Sequence, residues 1–230
     1  MTEYIDGTLL AQSDISEQEK IKLCLALMDK LHAITFSTEQ INNFIPVLNP
    51  KKIIEGLLAQ LADAIALTSP QFQTFSTGQF HSIKEVIGAF IEVLKLDSQD
   101  LSVDEWQARL VLCHGDLNFS NVMTLENKRY LLDFECACLA EKAFDLGMML
   151  AINKCSLEQV IWVGKSTNSP QEKVTRYYLL SLLINGLWFL LASINESSQR
   201  VKKQLLNQAK PQFRLFDETN GLSKKLSDIL

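Results

Sequence analysis

The sequence has little glycine and proline, only 9 and 5 of its 230 residues, and no stretch in which these residues or serine concentrate. A chain of this length could form one large domain or two small ones. Because no flexible linker divides it, we predict a single domain over residues 1–230. Apolar residues make up 47% of the chain and charged residues 21%, an ordinary globular composition that is ample for a buried core.

The sequence also lacks an excess of basic residues. Its formal net charge of −5 argues against nucleic acid or an anionic membrane as the main partner. The acidic balance is compatible with a cationic small substrate. The N-terminus shows no basic region followed by an apolar core, so we expect no secretory signal and a cytoplasmic location.

Histidine and cysteine are few and scattered. The three histidines lie far apart in the sequence, which argues against a zinc hydrolase. The five cysteines show no framework spacing, which indicates a reducing compartment. Cys113, Cys136 and Cys138 lie close to the motif described below. We interpret them as small buried thiols rather than as a metal cluster.

One long run, residues 177–194, carries no charge and is near the minimum length for a bilayer span. Polar residues interrupt it and charged residues flank it. We therefore interpret the run as the central helix of a mostly helical domain and expect no membrane partner.

Three further segments have helical signals. Ser16–Glu19 is a capping box that predicts a helix running to about Ile34. Asn49–Pro50 predicts the start of a second helix that continues to about Leu67. We predict a third helix over Ser82–Leu96.

The most informative part of the chain is residues 112–121, which read LCHGDLNFSN, together with residues 131–135, which read LLDFE. Asp116 follows an apolar run of strand type, and Asn121 opens a second such run. A polar turn and a third run then lead back to Asp133. The pattern predicts a β-hairpin that brings Asp133 close to Asn121.

Oxygen ligands brought together in this way suit a hard cation such as Mg²⁺. Asn121 and Asp133 are the candidate metal ligands, and Asp116 is a separate carboxylate that could orient or deprotonate a hydroxyl group. Alone, Asp116 would read as a turn residue. In this company it indicates the minimal apparatus of phosphoryl transfer. For Glu135 two readings stay open, as a further metal ligand or as a residue that faces the acceptor.

The H-x-D-x-x-x-x-N pattern and the D-F-E that follows resemble the aminoglycoside phosphotransferase and choline kinase superfamily. The choline/ethanolamine and thiamine kinase branch is the most similar because it favours D-[FW]-E at the second site. The resemblance continues through Ala143–Gly147, through Leu31–His32 at the end of a helix, and through Thr2–Gly7, which is similar to the family's hinge segment. It spans most of residues 1–147.

The resemblance implies an α+β fold, mainly helical, like the C-terminal lobe of a protein kinase, in which small β-hairpins carry the catalytic and metal-binding loops. It implies transfer of the ATP γ-phosphoryl group to a hydroxyl of a small metabolite such as choline, ethanolamine or thiamine. An aminoglycoside or sugar phosphotransferase is an alternative. Asp116 would then be the catalytic residue, while Asn121 and Asp133 would hold Mg²⁺. Residues 109–147 would form the core of the site.

The resemblance also gives supporting roles to other residues. His114 would hold the catalytic loop through a hydrogen bond from its ring to the backbone. Asp145 is a candidate N-cap for a helix over residues 148–152 and, by resemblance, braces the catalytic loop. Residues 1–8 would be hinge-like. The backbone at the family's hinge, here Glu3, Tyr4 and Ile5, would meet the adenine ring of ATP.

A cationic acceptor would call for an aromatic pocket wall, because aromatic faces attract quaternary ammonium groups. Trp188 is the preferred candidate. The sequence contains neither a G-x-G-x-x-G loop nor a V-A-I-K-like strand, which the family carries in an N-terminal lobe before the hinge. We therefore expect very low turnover from residues 1–230 alone, together with a homodimer or partner contact through the hinge-side face. A catalytically impaired lobe that binds a small molecule or a partner is the alternative.

Overall fold

The structure, a computed structural model, describes residues 6–36, 46–67, 76–93, 109–220 and 225–229. Within these ranges the chain is mainly helical and carries two small antiparallel sheets, which confirms the predicted α+β class. The α-helices there are α1 (Glu17–His32), α2 (Pro50–Leu67), α3 (Thr77–Val93), α4 (Lys142–Ile152), α5 (Leu157–Ser166), α6 (Gln171–Asn195) and α7 (Gln199–Asn220). The strands there are β1 (Thr8–Leu9), β2 (Leu110–Cys113), β3 (Val122–Leu125), β4 (Lys128–Leu131) and β5 (Cys138–Glu141).

The first sheet has the strand order β1-β3-β4 and contains the predicted hairpin. Strands β3 and β4 pair antiparallel with Val122 opposite Leu131, which confirms that prediction. The tight turn between them is possible because Glu126 adopts the left-handed region, with φ of 50°. The second sheet pairs β2 with β5 and sets Cys113 opposite Cys138.

The local capping signals place the starts of α1 and α2 correctly. The Ser16 side chain accepts a hydrogen bond from the Glu19 N–H, and the Asn49 side chain accepts one from the Lys52 N–H. These bonds satisfy backbone donors that the first helical turn leaves free. Helix α1 ends at His32, slightly before the predicted end at about Ile34.

The predicted start of α3 at Ser82 is wrong, because the helix begins at Thr77. The Ser76 side chain accepts a bond from the Gln79 N–H, and the Gln79 side chain accepts one from the Ser76 N–H. This reciprocal pair is a capping box of the S-x-x-Q type, and the signal is present in the sequence. The segment beyond Val93, where the predicted end at Leu96 falls, is outside the described residues.

The chain forms two compact units, the first made of Met1–Leu48 and Ser102–Tyr177 and the second of Asn49–Leu101 and Tyr178–Leu230. The first unit contains both sheets together with α1, α4 and α5, and it carries the candidate site. In the second unit, the rings of Phe90 and Phe216 meet edge to face at 4.9 Å. The prediction of a single domain over residues 1–230 stays a prediction.

The uncharged run at 177–194 lies in α6, which by length and composition alone could cross a membrane. Its most apolar window is 72% buried within the fold. Such burial is what a core helix requires, because most of its surface contacts protein. It agrees with the prediction of a central helix in a mostly helical domain.

Candidate active site

The loop that carries Asp116 leaves strand β2 through a glycine turn. Gly115 adopts the left-handed region, with φ of 77°, which strains residues that have a side chain. A Cβ atom built at Gly115 would lie against the backbone carbonyl of Cys136. Both the conformation and the close approach therefore require glycine at the position just before Asp116.

We expect Gly115→Ala to lower the free energy of unfolding by about 1–3 kcal/mol, because alanine must adopt a strained conformation and displace backbone. Urea denaturation measures the change. Gly88→Ala is the matched control, since a Cβ at Gly88 in α3 meets nothing within 4 Å and alanine favours helix by about 0.5–1 kcal/mol. Equal effects of the two substitutions would contradict this account of the turn.

Asp145 fixes the backbone of the same loop. Its side chain is fully buried, with 0% exposure. Oδ2 accepts a hydrogen bond from the His114 N–H at 3.1 Å, and Oδ1 accepts one from the Gly115 N–H at 3.0 Å. Such charge-assisted bonds are about twice as strong as neutral ones. Asp145 thus contacts the loop in the way that the resemblance predicts.

The interpretation of Asp145 as an N-cap is wrong. Helix α4 begins at Lys142, so Asp145 lies in its first turn, and Glu141 occupies the cap position without a side-chain cap bond. The chain enters the helix directly from β5, which moves the start upstream of the predicted one. This shift places the Asp145 carboxylate against the loop rather than against its own helix.

His114 connects the loop to the hairpin. Its side chain is buried, and Nε2 lies 2.9 Å from the carbonyl oxygen of Leu132, the residue that follows β4. Nδ1 accepts the Asp116 N–H at 3.4 Å, so the ring proton resides on Nε2 and is donated to Leu132. The ring also contacts Phe134, with centroids 4.9 Å apart. His114 therefore makes the ring-to-backbone contact that was expected of it.

The Asp116 carboxylate is half-buried and is held by two amides. Asn121 Nδ2 donates to Asp116 Oδ2 at 3.1 Å and to the Asp116 carbonyl oxygen at 2.8 Å. Asn118 Nδ2 lies at 3.5 Å from the same carboxylate oxygen. Burial raises the pKa of Asp116, and the charge of Asp133 adds to that, while the amide bonds and His114 oppose it. A carboxylate with a raised pKa accepts a proton more readily than an ordinary aspartate.

Asn121 and Asp133 carry oxygen atoms of the kind that a hard divalent cation prefers. Because Asn121 donates a hydrogen bond from Nδ2 to Asp116, its Oδ1 is the side-chain atom that can serve as a metal ligand. The Leu132 N–H donates to the Asn121 carbonyl at 2.9 Å, which extends the pairing of the hairpin by one bond next to Asp133. Asp133 adopts a left-handed conformation, with φ of 59°, that few residues tolerate. An amide oxygen and carboxylates fit Mg²⁺, which prefers oxygen ligands.

Glu135 and Cys136 follow Asp133 on the exposed side of the turn. Partial burial raises the pKa of the exposed Cys136 thiol, and the charges of Asp116, Glu135 and Asp133 raise it further. These three carboxylates therefore lie close enough to the Cys136 thiol to act on it, and both readings of Glu135 stay open. The interpretation of Cys136 as a buried thiol is wrong, because it lies outside the β2–β5 ladder that buries Cys113 and Cys138.

Three residues that support the loop were not predicted as site residues. The Asn118 side chain accepts the Ser120 N–H at 2.8 Å and so caps the turn at 119–121. Asn153 accepts the Phe119 N–H at 3.0 Å and donates to the Leu117 carbonyl at 3.1 Å. His32 Nε2 lies within hydrogen-bond distance of Asp145 Oδ2, at 2.9 Å. The side chains of Asn153 and His32 come from distant helix ends, which local patterns do not connect to the loop.

His32, Cys113 and Asp145 have ligand atoms within 4.8 Å of one another. Their bonding explains this grouping without a metal. The oxygens of Asp145 accept hydrogen bonds from backbone N–H groups. A side-chain hydrogen bond with Cys138 raises the pKa of the Cys113 thiol, and burial raises it further. A thiol with a raised pKa is a poor metal ligand, since the thiolate is the binding form.

Two predicted contributions are not among the contacts described above. The hinge residues Glu3, Tyr4 and Ile5 are outside the described residues. Trp188 belongs to the second unit, where its side chain is 54% exposed and its ring contacts Phe189 at 5.2 Å. Its role at an acceptor pocket stays a prediction.

The sequence matches the family model for choline/ethanolamine kinase over residues 1–162. This range includes Asp116, Asn121, Asp133 and Asp145. No curated protein matches the chain.

Solved structures are similar to this fold over most of its length. An ethanolamine kinase from Plasmodium vivax has a TM-score of 0.66 at 16% identity, with 95% of this chain and 65% of that one covered. A choline kinase from Cryptosporidium parvum has a TM-score of 0.66 at 14% identity, covering 95% and 69%. A spectinomycin phosphotransferase, solved with ADP and spectinomycin, has a TM-score of 0.55 at 14% identity, covering 98% and 68%.

These similarities confirm the predicted kinase-like architecture. The chain spans about two thirds of the length of the proteins that it matches, 65% in the case of the Plasmodium vivax structure.

Proposed function

Since the chain belongs to the choline/ethanolamine kinase family, we propose that it transfers the γ-phosphoryl group of ATP to a hydroxyl group of a small metabolite such as choline, ethanolamine or thiamine. One observation carries this proposal. The Asn121 amide binds Asp116 through its nitrogen, at 2.8 and 3.1 Å, and is joined by one hairpin to Asp133. A proton acceptor and two oxygen ligands thus belong to one continuous arrangement.

We assign to Asp116 the role of positioning the acceptor hydroxyl and accepting its proton. Its carboxylate is held in place by Asn121, and its backbone is set by Gly115 and by the bonds of Asp145. A fixed carboxylate positions the hydroxyl and accepts its proton as the new bond forms. Positioning of this kind supplies much of the catalysis in phosphoryl transfer, because the protein itself takes little part in making or breaking covalent bonds.

Asn121 Oδ1 and the Asp133 carboxylate are assigned to Mg²⁺. When bound, the ion would supply positive charge that offsets the negative charge developing on the nucleotide phosphates. Loop and hairpin are joined by the Leu132 N–H bond to Asn121, so the two ligands are held by one local structure.

The acceptor class is proposed from charge and from the family. The carboxylates of Asp116, Asp133 and Glu135 lie in one region, and the chain as a whole carries a net charge of −5. An amine or ammonium group on the acceptor would be attracted to this region. Trp188 stays the predicted aromatic residue for a cationic acceptor. A cytoplasmic location, the absence of nucleic-acid and membrane partners, and a homodimer also remain predictions.

A panel of acceptors tests the proposal. Choline, ethanolamine, thiamine, spectinomycin and glucose are compared by Mg²⁺-dependent ADP release. We expect one of the first three compounds, which are cationic alcohols, to stimulate ADP release most strongly. Stimulation by spectinomycin or glucose alone would instead place the chain with the aminoglycoside or sugar phosphotransferases.

The pH dependence of turnover follows from the environment of Asp116. Burial raises the pKa of this carboxyl, and only its ionised form can accept the hydroxyl proton. Activity should therefore be complete above the raised pKa and should fall as the pH is lowered through it. We expect the acid limb of the kcat/KM profile, which reports groups of the free enzyme, to lie above the usual aspartate range. An acid limb at or below that range would contradict this assignment.

A further inference from the structure

His32, the last residue of α1, is buried against the brace of the catalytic loop. Its side chain is only 5% exposed, and Nε2 lies 2.9 Å from Oδ2 of Asp145. The same Oδ2 accepts the His114 N–H, and the other oxygen accepts the Gly115 N–H. One carboxylate therefore connects the end of α1 to the two residues that precede Asp116.

The protonation of the His32 ring follows from its partners. The ionised carboxylate of Asp145 can only accept, so His32 Nε2 must donate. Within the described residues, His32 Nδ1 is buried without a hydrogen-bond partner. A buried ring nitrogen without a partner costs stability, and a leucine of similar volume would avoid that cost. The bond from Nε2 to Asp145 is what the histidine contributes in return.

We propose that His32 is a positioning residue for phosphoryl transfer, acting through Asp145. Its Nε2–H holds the carboxylate in the rotamer that keeps one oxygen on each of the two loop N–H groups, and so fixes the direction of Asp116. The proposal rests on the proposed function. Asp145 binds the His114–Gly115 side of the loop, whereas Asn121 and Asp133 are placed by the hairpin. Loss of His32 should therefore affect the acceptor step more than nucleotide binding.

Two substitutions separate the N–H donor from the volume of the side chain. His32→Leu fills the space without a donor, and we expect it to lower kcat by about 10–100-fold, as loss of a supporting hydrogen bond commonly does. The KM for ATP should change by no more than about threefold. His32→Gln carries an amide N–H at nearly the reach of Nε2 and should restore most of kcat. His81→Leu, at an exposed position in α3, is the control and should change neither constant.

Amide hydrogen exchange provides a readout that does not depend on activity. The N–H groups of His114 and Gly115 are buried on Asp145, so they should exchange slowly in the wild-type chain. His32→Leu should accelerate exchange in the peptide that spans 109–121, and His32→Gln should not. The exchange comparison needs no turnover, so it still tests the role of His32 if the panel of acceptors fails to support the proposed function.

Three outcomes would overturn the role of His32. Wild-type kcat in His32→Leu would do so, as would unchanged exchange across 109–121 in that variant. So would a His32→Gln variant that loses as much kcat as His32→Leu. If His32→Leu does not fold, His32→Asn replaces it, because the shorter asparagine cannot reach Asp145. Equal kcat values for the asparagine and glutamine variants would then refute the proposal.

Discussion

Replacing Asp116 with asparagine is expected to lower kcat by about 10²–10⁴-fold, with little change in the KM for ATP. Asparagine keeps the shape of the side chain and can still accept the Asn121 bond, but it cannot take a proton from the acceptor hydroxyl. Asn121 and Asp133 are assigned to the Mg²⁺ that accompanies the nucleotide and are unchanged in this variant, so ATP binding should persist. Steady-state kinetics with the best acceptor of the panel measure both constants.

The fold should survive this substitution. Burial raises the pKa of Asp116, which means that the folded state disfavours its ionised form. Stability from this carboxyl is greatest below its ordinary pKa and is lost as pH rises through the raised value, so a neutral asparagine should not destabilise the protein at pH 7. Asp63→Asn, at an exposed position in α2, is the matched control. Near-normal kcat in Asp116→Asn would move the proton acceptor elsewhere, with Glu135 the next candidate.

Replacing Asp133 with asparagine is expected to abolish the Mg²⁺-dependent part of nucleotide binding. Affinity for ADP should fall at least about tenfold, to the value that the wild-type protein shows with EDTA, because a charged metal ligand is lost. Asparagine is preferred to alanine because Asp133 has φ of 59°, a conformation that asparagine tolerates better. Calorimetric titration of ADP with and without Mg²⁺ measures the effect.

Glu126→Gln provides the matched control for this experiment. Glu126 is exposed at the turn of the same hairpin and also has positive φ, 50°, so the substitution removes one negative charge from the same structure. Its Mg²⁺-dependent affinity should equal that of the wild type. The metal assignment of Asp133 fails if Asp133→Asn binds MgADP as tightly as this control.

Elements with local signals could be predicted from the sequence. The capping residues Ser16 and Asn49 predicted where the first two helices begin, and two apolar runs separated by a polar turn predicted the β3–β4 hairpin. The Ser76–Gln79 capping box was equally visible and would have given the correct start of α3. The candidate site residues Asp116, Asn121 and Asp133 lie in one loop and hairpin, so their grouping also followed from local structure.

Contacts between distant segments could not be predicted in this way. His32 and Asp145 are separated by 113 positions and meet because α1 ends beside the start of α4. The close approach of Gly115 to the Cys136 carbonyl depends on the pairing of β2 with β5. The misassignment of Asp145 as an N-cap has the same origin, since the sequence near it does not reveal that α4 starts at Lys142. Periodicity and capping rules describe one element at a time, whereas these contacts depend on packing.

Phosphorus NMR of the reaction mixture tests the central claim most directly. The protein is incubated with ATP, Mg²⁺ and the acceptor that the panel selects. We predict a phosphomonoester of the acceptor that accumulates in step with ADP, and whose formation is lost with EDTA and in Asp116→Asn. Inorganic phosphate in place of the phosphomonoester would contradict the account. So would an equal yield of phosphomonoester from Asp116→Asn.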